Sequence, residues 1–498
     1  MPGEATATVP PRRVLPLLLV GYAAFYLCRA NVEPALNLLA IDHGYDNEQL
    51  GVVMAIALGA YAVGKLVLGP LADLWGGKRI LVLSLVGTAF ISLAIGASDA
   101  PRRFGPAAGL VLVGALVVAN RFVQAGGWGG LVHVVGATYD ASRRGTIMGI
   151  LSTSYDVGNV LALVLSAAIV EAGAGWRALF VVNPLIVLAV AIVVRLALPA
   201  PRPESSPPAG AQATAEARSA ADDADDADRG AIDADVQADA HASAGPGGPI
   251  DLGRPVDRER DVDRERDVDR ERDVDRGRLA AIALRLARQP AFWFATALSF
   301  LLTFVRAGFM TWTPRFLYEV SVAANVPSAT SSSIAKSAFF GIAGIIGSVV
   351  TGRISDRLGP GRRAPVMTTS LALLVACTLA LAHAGVSSPL VATAGVASCG
   401  LFLLGPYSLL AGAVSLDVAT PSGTDGKGGA ATAAGFIDAV GYVGASLAAL
   451  VLGSVSKRAG WTAAFDVVAG VTFLALLLAW TWSARERSAS KREPAAST

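Results

Sequence analysis

Charge is what this chain lacks. Asp, Glu, Lys and Arg make up 16% of its 498 residues, against about 25% in ordinary globular domains. Much of that charge sits in residues 199–278, so the remainder is poorer still. With 53% hydrophobic residues, a soluble protein of this length could not keep its apolar surface out of water. The net charge is only +2 and no basic patch interleaves with aromatics, which argues against a nucleic-acid partner. Cysteine is scarce too. Cys28, Cys377 and Cys399 all lie inside apolar runs, with no CxxC spacing for a metal and no disulfide framework. They read as small packing residues, and neither a metal nor a cofactor is expected. An A-x-A-like cleavage site is missing after Arg12 and Arg13, so the first apolar segment reads as a membrane helix rather than a signal peptide.

A membrane span takes about 20 mostly apolar residues. Runs of that kind lie near 14–40, 50–72, 80–98, 106–137, 146–170 and 178–199. A second set lies near 291–319, 333–354, 366–384, 388–417, 429–455 and 462–483. The expected fold is an all-α membrane protein of twelve transmembrane helices in two pseudo-symmetric six-helix bundles. The bundles are assigned to residues 14–199 and 289–484, with tails at 1–13 and 485–498. Between them, residues 200–288 are rich in Ala, Asp, Pro and Gly and repeat Val-Asp-Arg-Glu-Arg-Asp three times at 256–273. Such composition cannot bury enough apolar surface to fold, so a disordered linker is expected.

Lys and Arg mark the cytoplasmic loops. They cluster at Arg12/Arg13, Lys78/Arg79, Arg143/Arg144, the linker, Arg353/Arg357/Arg362/Arg363, Lys427 and Arg485/Arg487. These are alternate loops and both ends, so both termini and the linker are expected in the cytoplasm. Arg102/Arg103 and Lys457/Arg458 run against that pattern. The composition fits a bacterial inner (plasma) membrane. The two halves also repeat each other: Gly69-Pro-Leu-Ala-Asp73 matches Gly352-Arg-Ile-Ser-Asp356, Gly149 to Gly158 matches Gly435 to Gly444, and Gly175-Trp176 matches Gly460-Trp461. Three matches in one order are the trace of a duplicated transporter.

The segment Gly352-Arg-Ile-Ser-Asp-Arg-Leu-Gly-Pro-Gly-Arg-Arg363 resembles the loop motif of the major facilitator superfamily. Gly21-Tyr-Ala-Ala-Phe-Tyr-Leu-Cys-Arg-Ala-Asn31 resembles helix 1 of its organophosphate:phosphate antiporters, the glycerol-3-phosphate and sugar-phosphate transporters. Val305-Arg306 to Pro314, Gly405-Pro406 and Ala434 to Gly444 are similar to their helices 7, 10 and 11. Asn120 to Trp128, Val157-Gly-Asn159 and Leu151-Ser-Thr-Ser154 look closest to the eukaryotic exchangers. The likeness spans both halves and omits the tails and linker. It implies that Asp73 and Asp356 act in the conformational loop motifs, that Arg29 and Arg306 bind phosphate, and that Lys65 and Tyr61 line the cavity. Departures stand at Ala30, where Lys is common, Tyr155, where several members have His, Thr303, Leu404 and Arg121.

The residues themselves permit that chemistry. A charge at mid-membrane is costly and normally faces the bundle interior with a partner or a function. Arg29 and Arg306 fall on the first helix of each half, so the repeat sets them across a central cavity. A guanidinium stays charged and its planar fork fits phosphate oxygens; a structural ion pair within each half is the other reading. Tyr22, Tyr26, Arg29 and Glu33 share a helix face by their spacing. Tyr22, Tyr26, Tyr61, Tyr155 and Tyr442 are candidate hydrogen-bond donors to substrate. Glu33, Asp156 and Asp438 fit two roles, charge pairing or proton carriage. Glu33, one turn from Arg29, is the expected neutraliser of that arginine. Asp156 and Asp438 have Arg121, Lys65 and Lys336 as expected partners.

No base–nucleophile–acid arrangement accompanies Ser152, Ser154 or His133, and an enzyme is not expected. The expected function is secondary active transport: exchange of an organic phosphate ester (glycerol-3-phosphate, phosphoglycerate or sugar phosphate) for inorganic phosphate by alternating access, by a monomer in the lipid bilayer. Two alternatives stay open, a proton-coupled transporter of another organic anion and a sugar-phosphate receptor that carries nothing.

Overall fold

The computed structural model describes residues 11–98, 100–139, 141–198, 287–358, 363–410 and 430–490. Residues 1–10, 200–286 and 491–498 of the expected tails and linker, Lys427, and residues 359–362 of the loop motif lie outside them, while residues 11–13 and 485–490 of the expected tails are helical. Eleven helices among the described residues are long and apolar enough to cross a membrane. One of them, Gly435–Ala484, contains Gly460 at φ 81° and ψ 177°, a backbone setting that interrupts a helix and suits glycine. Two spans therefore share this stretch, and the count is twelve.

In chain order, α1 is the kinked span Arg13–His43, built from helices Pro11–Leu27 and Val32–His43. Then come α2 (Asn47–Trp75), α3 (Gly77–Ala97), α4 (Pro106–Thr138), α5 (Ala141–Glu171) and α6 (Trp176–Ala197). The second bundle has α7 (Pro290–Ala323), α8 (Ala329–Leu358), α9 (Arg363–Ala384) and α10 (Pro389–Leu409). The limbs of Ala430–Ser490 before and after Gly460 are α11 and α12. Local chemistry sets the boundaries. Gly44 closes α1 in the left-handed region. Asp46 then opens α2 with a capping box: its carboxylate accepts from the Gln49 N–H at 2.9 Å, and its own N–H donates to the Gln49 side chain at 3.1 Å.

The two bundles are built alike. Within the first, α1 packs on α5, α2 on α4 and α3 on α6; within the second, α7 packs on α11, α8 on α10 and α9 on the α11–α12 limb. The bundles meet along α2 against α11 and α5 against α8, which are again equivalent pairs. Small residues allow these approaches. A Cβ on Gly347 of α8 would sit 1.9 Å from the Leu401 carbonyl oxygen of α10. Between bundles, a Cβ on Gly453 would sit 2.5 Å from the Asn47 carbonyl oxygen.

One end of this interface is closed by polar contacts. Glu48 accepts from Lys457 at 2.9 Å and Arg458 at 2.8 Å, and Asp46 pairs with Lys457 at 3.0 Å. Arg315 of α7 donates to Asn37 and Asn47 of the first bundle, at 3.0 and 3.1 Å, and to Glu319 at 2.6 Å. Trp461 completes the group by donating its indole N–H to Glu319 at 2.6 Å. These residues bound the face that carries the α1–α2 and α11–α12 turns.

Candidate functional site

The site begins where α1 breaks. Residues Cys28–Asn31 form a turn rather than a helix, which frees backbone carbonyls at membrane depth. A group left unpaired there costs several kcal/mol, and each of three is satisfied from another helix. The Leu27 carbonyl accepts from Asn183 of α6 at 2.9 Å, the Cys28 carbonyl from Gln124 at 3.1 Å and the Arg29 carbonyl from Arg121 of α4 at 3.1 Å. Asn31 donates in turn to the Leu179 carbonyl of α6 at 2.9 Å. Half-helix ends pinned at mid-membrane are a recurrent way of building a transporter site.

The break also separates Arg29 from Glu33. Had α1 continued, the two would share a face; instead Glu33 turns to α4 and pairs with Arg121 at 2.9 Å. The expectation that Glu33 neutralises Arg29 is thereby corrected. Arg29 points across to the second bundle, donates to the Tyr442 hydroxyl at 3.2 Å and lies 4.2 Å from the centre of the Tyr61 ring and 5.2 Å from that of Tyr26. An aromatic face stabilises a cation by about 0.5–1 kcal/mol when exposed and about 2 kcal/mol or more when desolvated. Among the described residues Arg29 has no carboxylate within 4.0 Å.

Arg306 of α7 is held differently. It is 9% exposed, with its guanidinium 5.2 Å from the Tyr155 ring and 4.8 Å from Tyr407. Asp156 of α5 stands 3.8 Å away. That is an ion pair across the two bundles, but too long for a hydrogen bond. Arg306 Nε has no hydrogen-bond partner among the described residues. Lys65 of α2 forms an ion pair with Asp438 of α11 beside the Tyr61 and Tyr442 rings. Each of the three carboxylates thus takes one cation, and Arg29 is left over. Lys336 takes no carboxylate among the described residues.

Arg29 and Arg306 line one cavity, together with Tyr26, Glu33, Arg121, Asn159, Thr303, Thr313 and Tyr442. Its volume is about 50 Å³, room for about four waters or one phosphate-sized anion. Of the residues expected to line it, Tyr22, Lys65, Tyr61 and Tyr155 are not on its wall: Tyr22 packs on Phe25, Tyr26 and Trp128 with ring centres 5.2–6.0 Å apart, Lys65 turns to Asp438, and Tyr61 and Tyr155 lie against Arg29 and Arg306. Asp73 and Asp356 lie within the last turns of α2 and α8, and their side chains fall outside the described residues. Sequence reasoning missed Tyr407 beneath Arg306, although it follows Gly405-Pro406 directly. It also missed the three amide side chains that hold the α1 break, which nothing in an apolar run announces.

The chain matches the Major Facilitator Superfamily over residues 18–436. It belongs to that family. Two relatives set the company in which this facilitator sits. It is 25% identical over 479 residues to the "Probable hexose phosphate transport protein" of Chlamydia pneumoniae, covering 96% of this chain and 92% of the relative. It is 23% identical over 480 residues to the glycerol-3-phosphate transporter of Bacillus subtilis, covering 95% and 92%. Among solved structures, the partially occluded inward open xylose transporter XylE from E. coli superposes with a TM-score of 0.64 at 14% identity, covering 95% and 99% of the two chains. That likeness carries the twelve-helix fold. The facilitator is accordingly a multi-pass membrane transporter whose relatives by sequence carry organic phosphates.

Proposed function

We propose that this facilitator exchanges an organic phosphate ester for inorganic phosphate, with Arg29 and Arg306 as the two sides of the phosphate site. The observation that carries this reading is the state of Arg29: a half-buried guanidinium with no carboxylate within 4.0 Å among the described residues, ringed by Tyr26, Tyr61 and Tyr442, at a cavity it shares with Arg306. A half-buried cation in that condition lacks only an anion. Planar guanidinium forks favour phosphate, and the relatives are named for phosphate esters. Because the arginines belong to different bundles, an anion bound between them draws the bundles together, and its loss lets them part. Substrate binding and rocking are coupled in this way.

Arg29 and Arg306 are not equal partners. Phosphate must share Arg306 with Asp156, whereas Arg29 is open to it. Asn159 of α5 and Thr303 and Thr313 of α7 line the same cavity and supply amide and hydroxyl groups for the organic part of a substrate. Both termini and the linker at residues 200–288 belong on the cytoplasmic side of a plasma membrane under this reading, by their Lys and Arg content. The latch of Asp46, Glu48, Lys457 and Arg458 then closes the outer face, and the cavity opens inward. The carrier works as a monomer, since each chain holds both arginines.

Reconstitution tests the proposal. Liposomes loaded with inorganic phosphate should take up labelled glycerol-3-phosphate or hexose phosphate only while internal phosphate is present, and Arg29→Lys and Arg306→Lys should abolish the exchange. A second reading, proton-linked uptake, is favoured by one observation: Asp156 faces Arg306 at 3.8 Å, where a substrate anion could displace it and leave it to take a proton. Uptake that follows external acidification and ignores internal phosphate would select it.

A further inference from the structure

A second cleft, away from the cavity, lies at the membrane boundary where α2 ends, α3 begins and α6 ends. It encloses about 520 Å³ and is lined by Trp75, Lys78, Arg79, Val82, Leu83 and Arg195. Its charges conflict with the local backbone. Lys78 and Arg79 occupy the first turn of α3, which contains no acidic residue. A helix N-terminus carries partial positive charge and is stabilised by anions, so two cations there are the wrong sign. Arg195, in the last turn of α6, brings a third. Among the described residues none of the three has a carboxylate within 4.0 Å. The Lys78 ammonium donates to the Leu198 carbonyl at the end of α6, and the Gly77 N–H donates to His133 Nδ1 at 3.2 Å. A bias of Lys and Arg toward one membrane face accounts for basic residues here. It does not account for their convergence, without counter-charge among the described residues, on one cleft at a helix N-terminus.

The rest of the lining states what kind of anion fits. Trp75 and Leu83 are more than half exposed, and they stand beside the cations at the ends of spans that reach Gly69 and begin at Gly77. An indole at that depth suits the headgroup layer of a bilayer. Exposed aliphatic side chains on α3 suit acyl chains. A soluble phosphate would use the cations and leave the apolar wall wet; a phospholipid uses both.

We propose that this cleft binds the headgroup of an anionic phospholipid, with Lys78, Arg79 and Arg195 on its phosphate and Trp75 and Leu83 against its glycerol and upper acyl carbons. The site is independent of the substrate cavity.

The test compares two triple variants of the full chain. Lys78→Gln, Arg79→Gln and Arg195→Gln empties the cleft of charge; Arg13→Gln, Arg353→Gln and Arg357→Gln removes three charges elsewhere on the same face. Each protein is purified into phosphatidylcholine nanodiscs and titrated with phosphatidylglycerol, with native mass spectrometry counting retained lipid. Wild type and the control should retain about one phosphatidylglycerol tightly, and the cleft variant should bind it about tenfold more weakly or worse. Equal loss in both variants, or displacement of the lipid by inorganic phosphate, would overturn the proposal. A readout that spares the charges guards against misfolding: bromine-labelled phosphatidylglycerol should quench a tryptophan signal that Trp75→Phe removes. Quenching unchanged by Trp75→Phe would also overturn it.

Discussion

At the scale of single residues, the distribution of partners decides what each substitution should do. Arg29 is the cation without a carboxylate, so Arg29→Gln should cost more phosphate affinity than Arg306→Gln. A loss of about 2–5 kcal/mol is typical when a buried charged contact is cut, which calorimetry with inorganic phosphate on the detergent-solubilised protein would read. Asp156 gives a prediction of opposite sign. As the competitor for Arg306 it lowers anion affinity, so Asp156→Asn should tighten phosphate binding several-fold and slow exchange by delaying release. A weaker binder would show instead that Asp156 orients Arg306. The Lys65–Asp438 pair is open to solvent on its Asp438 side, with side-chain exposures of 16% and 38%, so either single neutralisation should cost about 1 kcal/mol. The double variant Lys65→Met with Asp438→Leu should recover much of that, read as the thermal midpoint in detergent.

How far the site was legible also shows best here. Arg29, Arg306 and Lys65 stand out because a charge in an apolar run has few reasons to be there. Their partners do not stand out. The spacing of Arg29 and Glu33 promises a contact only if α1 is continuous, and the turn at Cys28–Asn31 removes that condition. Arg121 was visible as an added charge, but its two acceptors, the Glu33 carboxylate and the Arg29 carbonyl, depend on a backbone break whose sequence mark is Pro34, in the first turn of the following limb, which has no N–H for the Ala30 carbonyl. Tyr22 shares the helix face of Tyr26, yet the ring of Trp128 covers it.

At the scale of elements, α2 and α11 form the moving seam. Asp46 and Glu48 meet Lys457 and Arg458 at one end of it, and Gly51 and Gly453 bring the backbones together. Gly453→Leu should prevent this closure and hold the outer face open, raising the labelling of a cysteine at position 47 by a membrane-impermeant maleimide. The latch should also respond to acid. Burial alone would raise the Asp46 carboxyl, but the Gln49 N–H and the Lys457 ammonium outweigh it and hold the group below the usual carboxylate range. A carboxyl depressed in the latched state stabilises that state above its ordinary range and ceases to do so as pH falls through the depressed value. Lowering the pH on this face below about 4 should therefore increase the same labelling in wild type. Helix ends were easier to read than helix pairings. Gly44, Gly76 and Gly460 mark turns by their backbone freedom, and the repeated Gly-Trp pairs gave the twelfth span that an unbroken helical stretch conceals.

At the scale of the whole molecule, the same pairings of helices recur in each bundle, and under the proposed exchange alternating access is a change in how the two bundles meet. A cross-link on one side should stop it. Glu48→Cys with Lys457→Cys should form a disulfide under mild oxidation, arrest exchange and release it on reduction. The background is favourable, because Cys28 and Cys399 are buried and Cys377 is half-buried.

The spare cation at Arg29 makes the carrier a reporter of membrane voltage. A bundle that rocks with its arginine unoccupied carries a net positive charge through part of the field, where each full elementary charge is worth about 2.3 kcal/mol per 100 mV. A bundle that rocks with a monovalent anion on that arginine carries none. Exchange loaded in both directions with the monovalent form, at a pH below about 6, should run at the same speed at any potential, while the rare empty return should draw a current, and that current would count the carrier's errors one crossing at a time.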